Sequence, residues 1–276
     1  MDFDAFVSRL REEPQSAHIE LDAEKEAAYM IEHARRFKRY LSAIPSSAES
    51  LRILDIGTTP FTLFLKHAFP HYDVCTIDRT NLLGERCRAA EVDARCCDLS
   101  REPMPFEEGT FNVVIFTEVL EHLFGPPTDI LRKIRRALKP SGKLILSVPN
   151  IARLASRLKL LAGRTVLEDP DVCMSGSWVH GHGHVHEYTR DEIIEICRRA
   201  GLTVLSSEMI SVDPRDVLRQ PGRVNLTRLA YHCVAWLVPG FRFTILVECQ
   251  KSEKEAPIAA PARLWEPKNR CQARLI

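Results

Sequence analysis

The chain has 276 residues, 45% hydrophobic and 27% charged, a globular balance with room for one large domain and additions. Its formal net charge of +1 gives no whole-chain basis for tight binding to a polyanion, so nucleic acid is disfavoured as a partner. Nine cysteines, an odd number, with an acidic N-terminus that carries no signal-peptide pattern, predict free thiols, a reducing compartment and a cytoplasmic location.

Residues 1–45 read as helix, an N-terminal extension with an apolar stripe at Ala28, Ile31, Ala34, Phe37 and Leu41. The most regular part follows. Short, mainly apolar runs at Leu51–Ile56, Val74–Ile77, Phe111–Phe116 and Lys143–Val148 predict buried strands, and the more polar Glu91–Cys97 is read as a further strand. Helices are predicted at Thr62–Phe69 and Thr128–Leu138, and Lys139-Pro140-Ser141-Gly142 reads as a stop and turn. Residues 151–187 break the rhythm as an inserted cap: a basic amphipathic stretch, Ile151–Arg164, then a loop rich in glycine and histidine. A helix at Thr189–Ala200 and strands at Leu202–Ser206 and Phe241–Gln250 complete a domain over residues 46–250, and residues 251–276 form a polar, proline-containing tail. The apolar stretch Val224–Val238 is interrupted by Asn225, Arg228 and His232 and is too short for a membrane span, which needs about 20 apolar residues.

Strands alternating with helices predict a doubly wound α/β fold, a mostly parallel sheet covered on both faces. Such sheets bind ligands at the carboxyl ends of their strands. Asp55 and Gly57, Asp78, Asp98 and Glu118 all fall there.

The turn Leu54-Asp55-Ile56-Gly57-Thr58-Thr59-Pro60-Phe61 resembles motif I of the class I S-adenosylmethionine-dependent methyltransferases, D-x-G-x-G-x-G. The likeness continues in order through Asp78, through Asp98-Leu99, and through FNVVIFTEVLEHL, LKPSGKLILSVPN and HEYTRDEIIEICRRAGL, over roughly residues 50–206. It implies a seven-stranded, mostly parallel, Rossmann-like sheet and S-adenosyl-L-methionine as cofactor. The implied cofactor residues are Asp55, Gly57, Thr59, Asp78 (ribose hydroxyls), Asp98 (adenine amino group), Leu99 and Glu118. In this chain Thr59 and Phe61 replace the second and third glycines, and a bulky Phe61 is expected to narrow the turn. A nicotinamide enzyme would carry G-x-G-x-x-G, and this turn has one glycine.

Glu118, Glu121 and His122, at i, i+3 and i+4, share one face of a helical turn. This E-x-x-E-H is similar to that of quinone-biosynthesis O-methyltransferases and of small-RNA 3′-end 2′-O-methyltransferases. In the latter a further histidine precedes an E-aromatic-T sequence, a position that His184 holds before Glu187-Tyr188-Thr189. The resemblance implies His122 and His184 as catalytic groups, and Glu118, Glu121, His122 and His184 as ligands for Mg²⁺, Mn²⁺ or Zn²⁺. The run His180–His186 also reads as a lid, with glycines at 181 and 183.

Arg153, Arg157, Lys159 and Arg164 among leucines read as a cap helix packed on the sheet with snorkelling cations. The alternative is contact with a phosphate, a glycan carrier lipid or a peripheral membrane surface. Similar Pro-Asn-then-basic segments occur in methyltransferases of surface polysaccharides. The expected function is O-methylation of a small molecule or glycan precursor. Methylation of an RNA 3′-terminal ribose, and a non-catalytic methyltransferase-like binding module, are the alternatives.

Overall fold

The computed structural model describes residues 3–12, 23–47, 49–80, 83–169, 183–219 and 226–252. Three helices come first: α1 (Phe3–Glu12), α2 (Ala23–Glu32) and α3 (Ala34–Ala43). Then follow β1 (Arg52–Ile56), α4 (Pro60–Ala68), β2 (Asp73–Asp78), α5 (Gly84–Ala89), β3 (Asp93–Cys96), β4 (Phe111–Thr117) and a 3₁₀ turn at Leu120–His122. The second half comprises α6 (Pro127–Ala137), β5 (Leu138–Pro149), α7 (Leu154–Leu161), α8 (Arg190–Arg199), β6 (Leu202–Ile210), α9 (Pro214–Arg219), α10 (Leu226–Leu237) and β7 (Thr244–Lys251).

The strands form one seven-stranded sheet in the order β3-β2-β1-β4-β5-β7-β6. The first five are parallel, and β7 runs antiparallel between β5 and β6. Strand order reverses between β1 and β4, where doubly wound sheets open a ligand crevice at their carboxyl edge.

Alternation along the central strands divides the interior into two cores. Leu54, Val114, Phe116, Leu144 and Leu146 face α6 and α8, with Ile130, Ile134, Ile193 and Ile196 against them. Ile53, Val113, Ile115 and Ile145 face the other way. There they meet Phe61, Phe64 and Leu65 of α4 and Phe6, Met30, Phe37 and Tyr40 of the N-terminal helices. The predicted extension is thus one wall of the second core, with Tyr40 fully buried.

Several elements differ from the sequence reading. The predicted turn at residues 139–142 lies inside β5, where the register with β4 shifts and Ser141 takes a φ of +59°. At this bulge residues 139–142 stand opposite Asn112 alone and pair with no residue of β4, so the turn-like tetrapeptide loops out of the ladder between Leu138 and Lys143. The leucines of α7 do not pack on the sheet: the helix's one buried residue is Ser156, and Leu160 and Leu161 face solvent. The interrupted apolar stretch becomes α10, in which Ala235 is the buried residue. No described helix is long and apolar enough to cross a membrane. All seven described cysteines carry free thiols.

Candidate active site

The crevice begins at the turn after β1. Gly57 adopts a φ of +92°, and a Cβ there would lie 2.5 Å from Cγ2 of Val119, so both conformation and space demand glycine. Its N–H donates to the Ile77 carbonyl at 2.9 Å, which ties the turn to the tip of β2.

The two residues that replace motif glycines are absorbed by helix α4. Thr59 is its N-cap and Pro60 its first residue, a position suited to proline. The Thr59 hydroxyl accepts from Phe61 N–H at 3.2 Å, and the Thr59 N–H donates to the Thr62 hydroxyl at 3.1 Å. Both polar groups of Thr59 are therefore engaged within the cap. Phe61 does not narrow the turn: its ring is buried against α3, stacked on Phe37 at 4.7 Å and 12°.

Asp55 lies beneath this cap and accepts from the Thr62 hydroxyl at 2.6 Å. Burial raises its pKa from 3.8 to about 7; the Thr62 bond opposes the shift and Asp78 adds to it. A carboxyl raised in the folded state stabilises the fold fully below its unfolded pKa, and this is lost as pH rises through about 7. The difference is on the order of 4 kcal/mol. We expect thermal stability to fall between pH 4 and 7, and Asp55→Asn to flatten that fall, leaving the part due to Glu121. Parallel melting curves for the two proteins would refute the assignment.

Asp78, at the tip of β2, turns its carboxylate toward the glycine turn. Oδ2 accepts from Thr58 N–H at 3.0 Å, and Oδ1 accepts from the Thr80 N–H at 2.8 Å and hydroxyl at 3.0 Å. A carboxylate has about four acceptor positions; three are taken, so one is open, and a diol needs the place of the Thr80 hydroxyl as well. One strand further out, Asp98 caps a turn by accepting from Ser100 N–H at 2.9 Å and lies 3.9 Å from the exposed Arg101. Leu99, the next residue, is buried in the first core. Neighbouring strands lie roughly 4.8 Å apart. Asp98, Asp78 and Gly57 therefore step across adjacent strand tips over a nucleoside-sized span. Acceptors for an exocyclic amine and a ribose diol, followed by a close-approach glycine, fit S-adenosylmethionine chemically.

Beyond Gly57, across the strand-order reversal, stands Glu118. Its φ of +56° is a strained conformation for a residue with a side chain. Its N–H donates to the Ser147 carbonyl at 2.9 Å, and Oε1 accepts from the Ser147 hydroxyl at 2.7 Å. Oε2 pairs with Arg36 of α3 at 3.0 Å, and Tyr40 meets the Ser147 hydroxyl at 2.6 Å. Burial lowers the Arg36 pKa, but Glu118, Tyr40, Tyr29 and Glu121 together more than offset this and the net shift is upward. Beside it, burial and the Arg36 charge hold His33 down at about 4. Sequence reasoning missed Arg36, Tyr40 and Ser147.

The remaining predicted groups gather at the next turn. Glu121, His122 and His184 each present a ligand atom within 4.8 Å of the others, while Glu118, held by Arg36 and Ser147, is not among them. Glu121 is buried, its Oε2 has no hydrogen-bond partner among the described residues, and burial followed by the Glu118 charge pushes its pKa well up. His122 Nδ1 lies 2.7 Å from the Gly183 carbonyl, so Nδ1 carries the proton and Nε2 the lone pair. His184 repeats the pattern, its Nδ1 2.9 Å from Oε1 of Glu187. Glu187 also pairs with Arg153, beside α7. Burial would raise the Glu187 pKa, but His184 and Arg153 outweigh it and hold it low. Burial lowers the His122 pKa. Gly183 and His184 belong to the predicted lid; His180, Gly181 and His182 lie outside the described residues.

A seven-stranded sheet of this order, with a glycine turn after β1 and acidic side chains at the tips of β2 and β3, is the architecture of class I S-adenosylmethionine-dependent methyltransferases. The chain belongs to the methyltransferase domain family, whose sequence profile matches residues 27–207. No curated protein matches it in sequence. Among solved structures, it is similar to a chain of the Haloferax volcanii complex between the Trm112 methyltransferase activator and a methyltransferase, at 16% identity and a TM-score of 0.56 over 91% of this chain and 98% of that one. An S-adenosylmethionine dependent methyltransferase from Mesorhizobium loti gives 18% identity and a TM-score of 0.54 over 79% and 97% of the two chains. The [4+2]-cyclase SpnF gives 17% identity and a TM-score of 0.51 over 90% and 92%. At such identities the likeness establishes the fold alone, and a fold shared with a cyclase does not by itself fix the reaction.

Proposed function

We propose that the chain methylates an oxygen of a small molecule or glycan precursor, using S-adenosylmethionine. One observation carries this reading. Two imidazoles, His122 from the turn after β4 and His184, have ring centroids 4.8 Å apart, and each has its Nδ1 held by an oxygen, the Gly183 carbonyl for His122 and Glu187 for His184. Val119, in the same turn as His122, touches the glycine of the cofactor turn.

Asp98 and Asp78 would accept from the adenine amine and ribose hydroxyls, and Gly57 would admit the methionine portion. The bound cofactor supplies an electrophilic methyl group on a sulfonium. His122, kept neutral by burial, accepts the proton of an acceptor hydroxyl at Nε2. The Gly183 carbonyl fixes its tautomer, and Glu187 does the same for His184. Holding the hydroxyl in line accounts for most of the remaining acceleration, about 7–11 kcal/mol in favourable cases.

A second reading is favoured by the buried Glu121, whose Oε2 has no hydrogen-bond partner among the described residues and whose carboxylate lies within 4.8 Å of ring nitrogens of His122 and His184. Glu121, His122 and His184 would hold a divalent cation, and two imidazoles with one carboxylate suit Zn²⁺ or Mn²⁺ better than Mg²⁺. The cation would lower the pKa of an acceptor hydroxyl.

One experiment separates the two. Methyl transfer to a panel of hydroxyl and amine acceptors, followed by mass spectrometry, is run before and after chelation. With His122 as base, chelation changes nothing and His122→Ala slows transfer about 10²–10⁴-fold. With a resident metal, chelation abolishes transfer and added Zn²⁺ or Mn²⁺ restores it. Transfer only to nitrogen acceptors refutes O-methylation.

A further inference from the structure

Two helices present apolar side chains to solvent instead of to the core. In α7, Leu160 is 58% and Leu161 85% exposed; in α10, Leu226 is 76% and Leu237 71% exposed. Trp236, Val238 and Phe243 are exposed as well. The helices belong to one continuous face. The Arg157 guanidinium lies over the Phe241 ring at 5.3 Å, and that of Arg153 over Phe243 at 5.0 Å. The buried Asn150, just before α7, donates to the carbonyls of Gly240 and Arg242, just after α10.

Charge on this face is predominantly positive. Ile151–Asp169 contains Arg153, Arg157, Lys159 and Arg164, with Arg153 paired to Glu187, against Glu168 and Asp169 at its end. Leu226–Val247 contains Arg228 and Arg242 and no acidic residue. The whole chain carries only +1, so this cationic excess is local. Exposed leucines and a tryptophan interleaved with cations on short helices are what an anionic lipid surface binds: the apolar side chains enter the acyl boundary while the cations stay among the headgroups. A nucleic-acid strand would use the cations and leave the leucines unburied.

We infer that α7, α10 and the segment Val238–Phe243 dock the protein peripherally on an anionic membrane. The face adjoins the candidate acceptor site, because Arg153 pairs with Glu187, which holds His184. Docking would thus bring the crevice to the bilayer surface. The inference stands independently of the proposed methyl acceptor.

The test is flotation of the full chain with phosphatidylcholine vesicles, with and without phosphatidylglycerol. Binding is expected only with phosphatidylglycerol and should weaken as salt is raised. The double variant Leu160→Glu/Leu161→Glu should abolish it, and Lys159→Gln and Arg164→Gln should each lower partitioning about fivefold. All four side chains are exposed, so the fold is not at stake. Three results would overturn the inference: no binding of the parent protein to anionic vesicles; binding unchanged in the leucine variant; or a dimer that the leucine substitutions dissociate in a protein that ignores vesicles.

Discussion

Asp78→Ala should lower the affinity for S-adenosylhomocysteine roughly 10²–10⁴-fold while leaving a folded protein. Two hydrogen bonds from a ribose diol to a carboxylate are each worth about 1.5–3 kcal/mol, and every 1.4 kcal/mol is about tenfold in affinity. Asp78 also accepts from Thr58 N–H and holds Thr80, so the substitution loosens the glycine turn too. Asp78→Asn keeps one acceptor oxygen and should fall between the parent and Asp78→Ala. Asp98→Asn exchanges a single amine contact and should cost about tenfold. The ranking matters as much as the size, because a nonspecific stability defect would not follow the number of hydrogen bonds lost. Titration calorimetry on proteins with matched circular dichroism reads it directly. Binding by Asp78→Ala within threefold of the parent would remove Asp78 from the cofactor site. A parent protein that binds no S-adenosylhomocysteine at millimolar concentration would leave a methyltransferase-like module without catalysis.

Much of this site is legible in the chain because its parts are local. Asp55, Gly57, Asp78, Asp98 and Glu118 each follow a short apolar run, and a parallel sheet places the ends of such runs on one edge. His184 is legible through its place before Glu187-Tyr188-Thr189, and the structure brings it beside His122 across 61 intervening positions. What was not legible depends on which way a side chain leaves its element. Phe61 read as an obstruction because the helix was expected from Thr62. Thr59 before Pro60 was the available signal of an earlier start. With that start, Phe61 rotates away from the turn onto Phe37. Glu118 read as a metal ligand because i, i+3 and i+4 share a helical face. The backbone instead turns left-handed at Glu118 and sends the carboxylate to Arg36. No spacing rule reaches from position 36 to position 118, since only tertiary packing brings α3 to the tip of β4. The exposure of α7 was hidden for a related reason: leucines mixed with arginines suit a packed cap and an interfacial helix alike, and the neighbours decide.

Arg36→Ala should be the most destabilising single change at the edge of the site. Arg36 and Glu118 are both largely withdrawn from water, with side-chain exposures of 11% and 17%. Removing the cation leaves a buried carboxylate with one hydroxyl partner, a loss of about 3–5 kcal/mol, or roughly 6–20 °C in melting temperature for a domain of this size. Replacing both partners at once, Arg36→Met with Glu118→Gln, should recover most of the loss, because the penalty comes from an uncompensated charge and not from the missing attraction. The same pair should also bear on cofactor binding. Arg36 and Ser147 together hold Glu118 at its positive φ, and that conformation sets Val119 against Gly57, where no room exists for even one more carbon. If Glu118 relaxes, Val119 moves and the cofactor turn moves with it. Arg36→Ala should therefore weaken S-adenosylhomocysteine binding although Arg36 need not touch the ligand. The double replacement should restore stability more fully than affinity, since glutamine lacks the charge that fixes the strained residue. A melting temperature within 2–3 °C of the parent for Arg36→Ala (about 1 kcal/mol at this size), or a double variant no more stable than the single one, would show that this ion pair is not what braces the crevice.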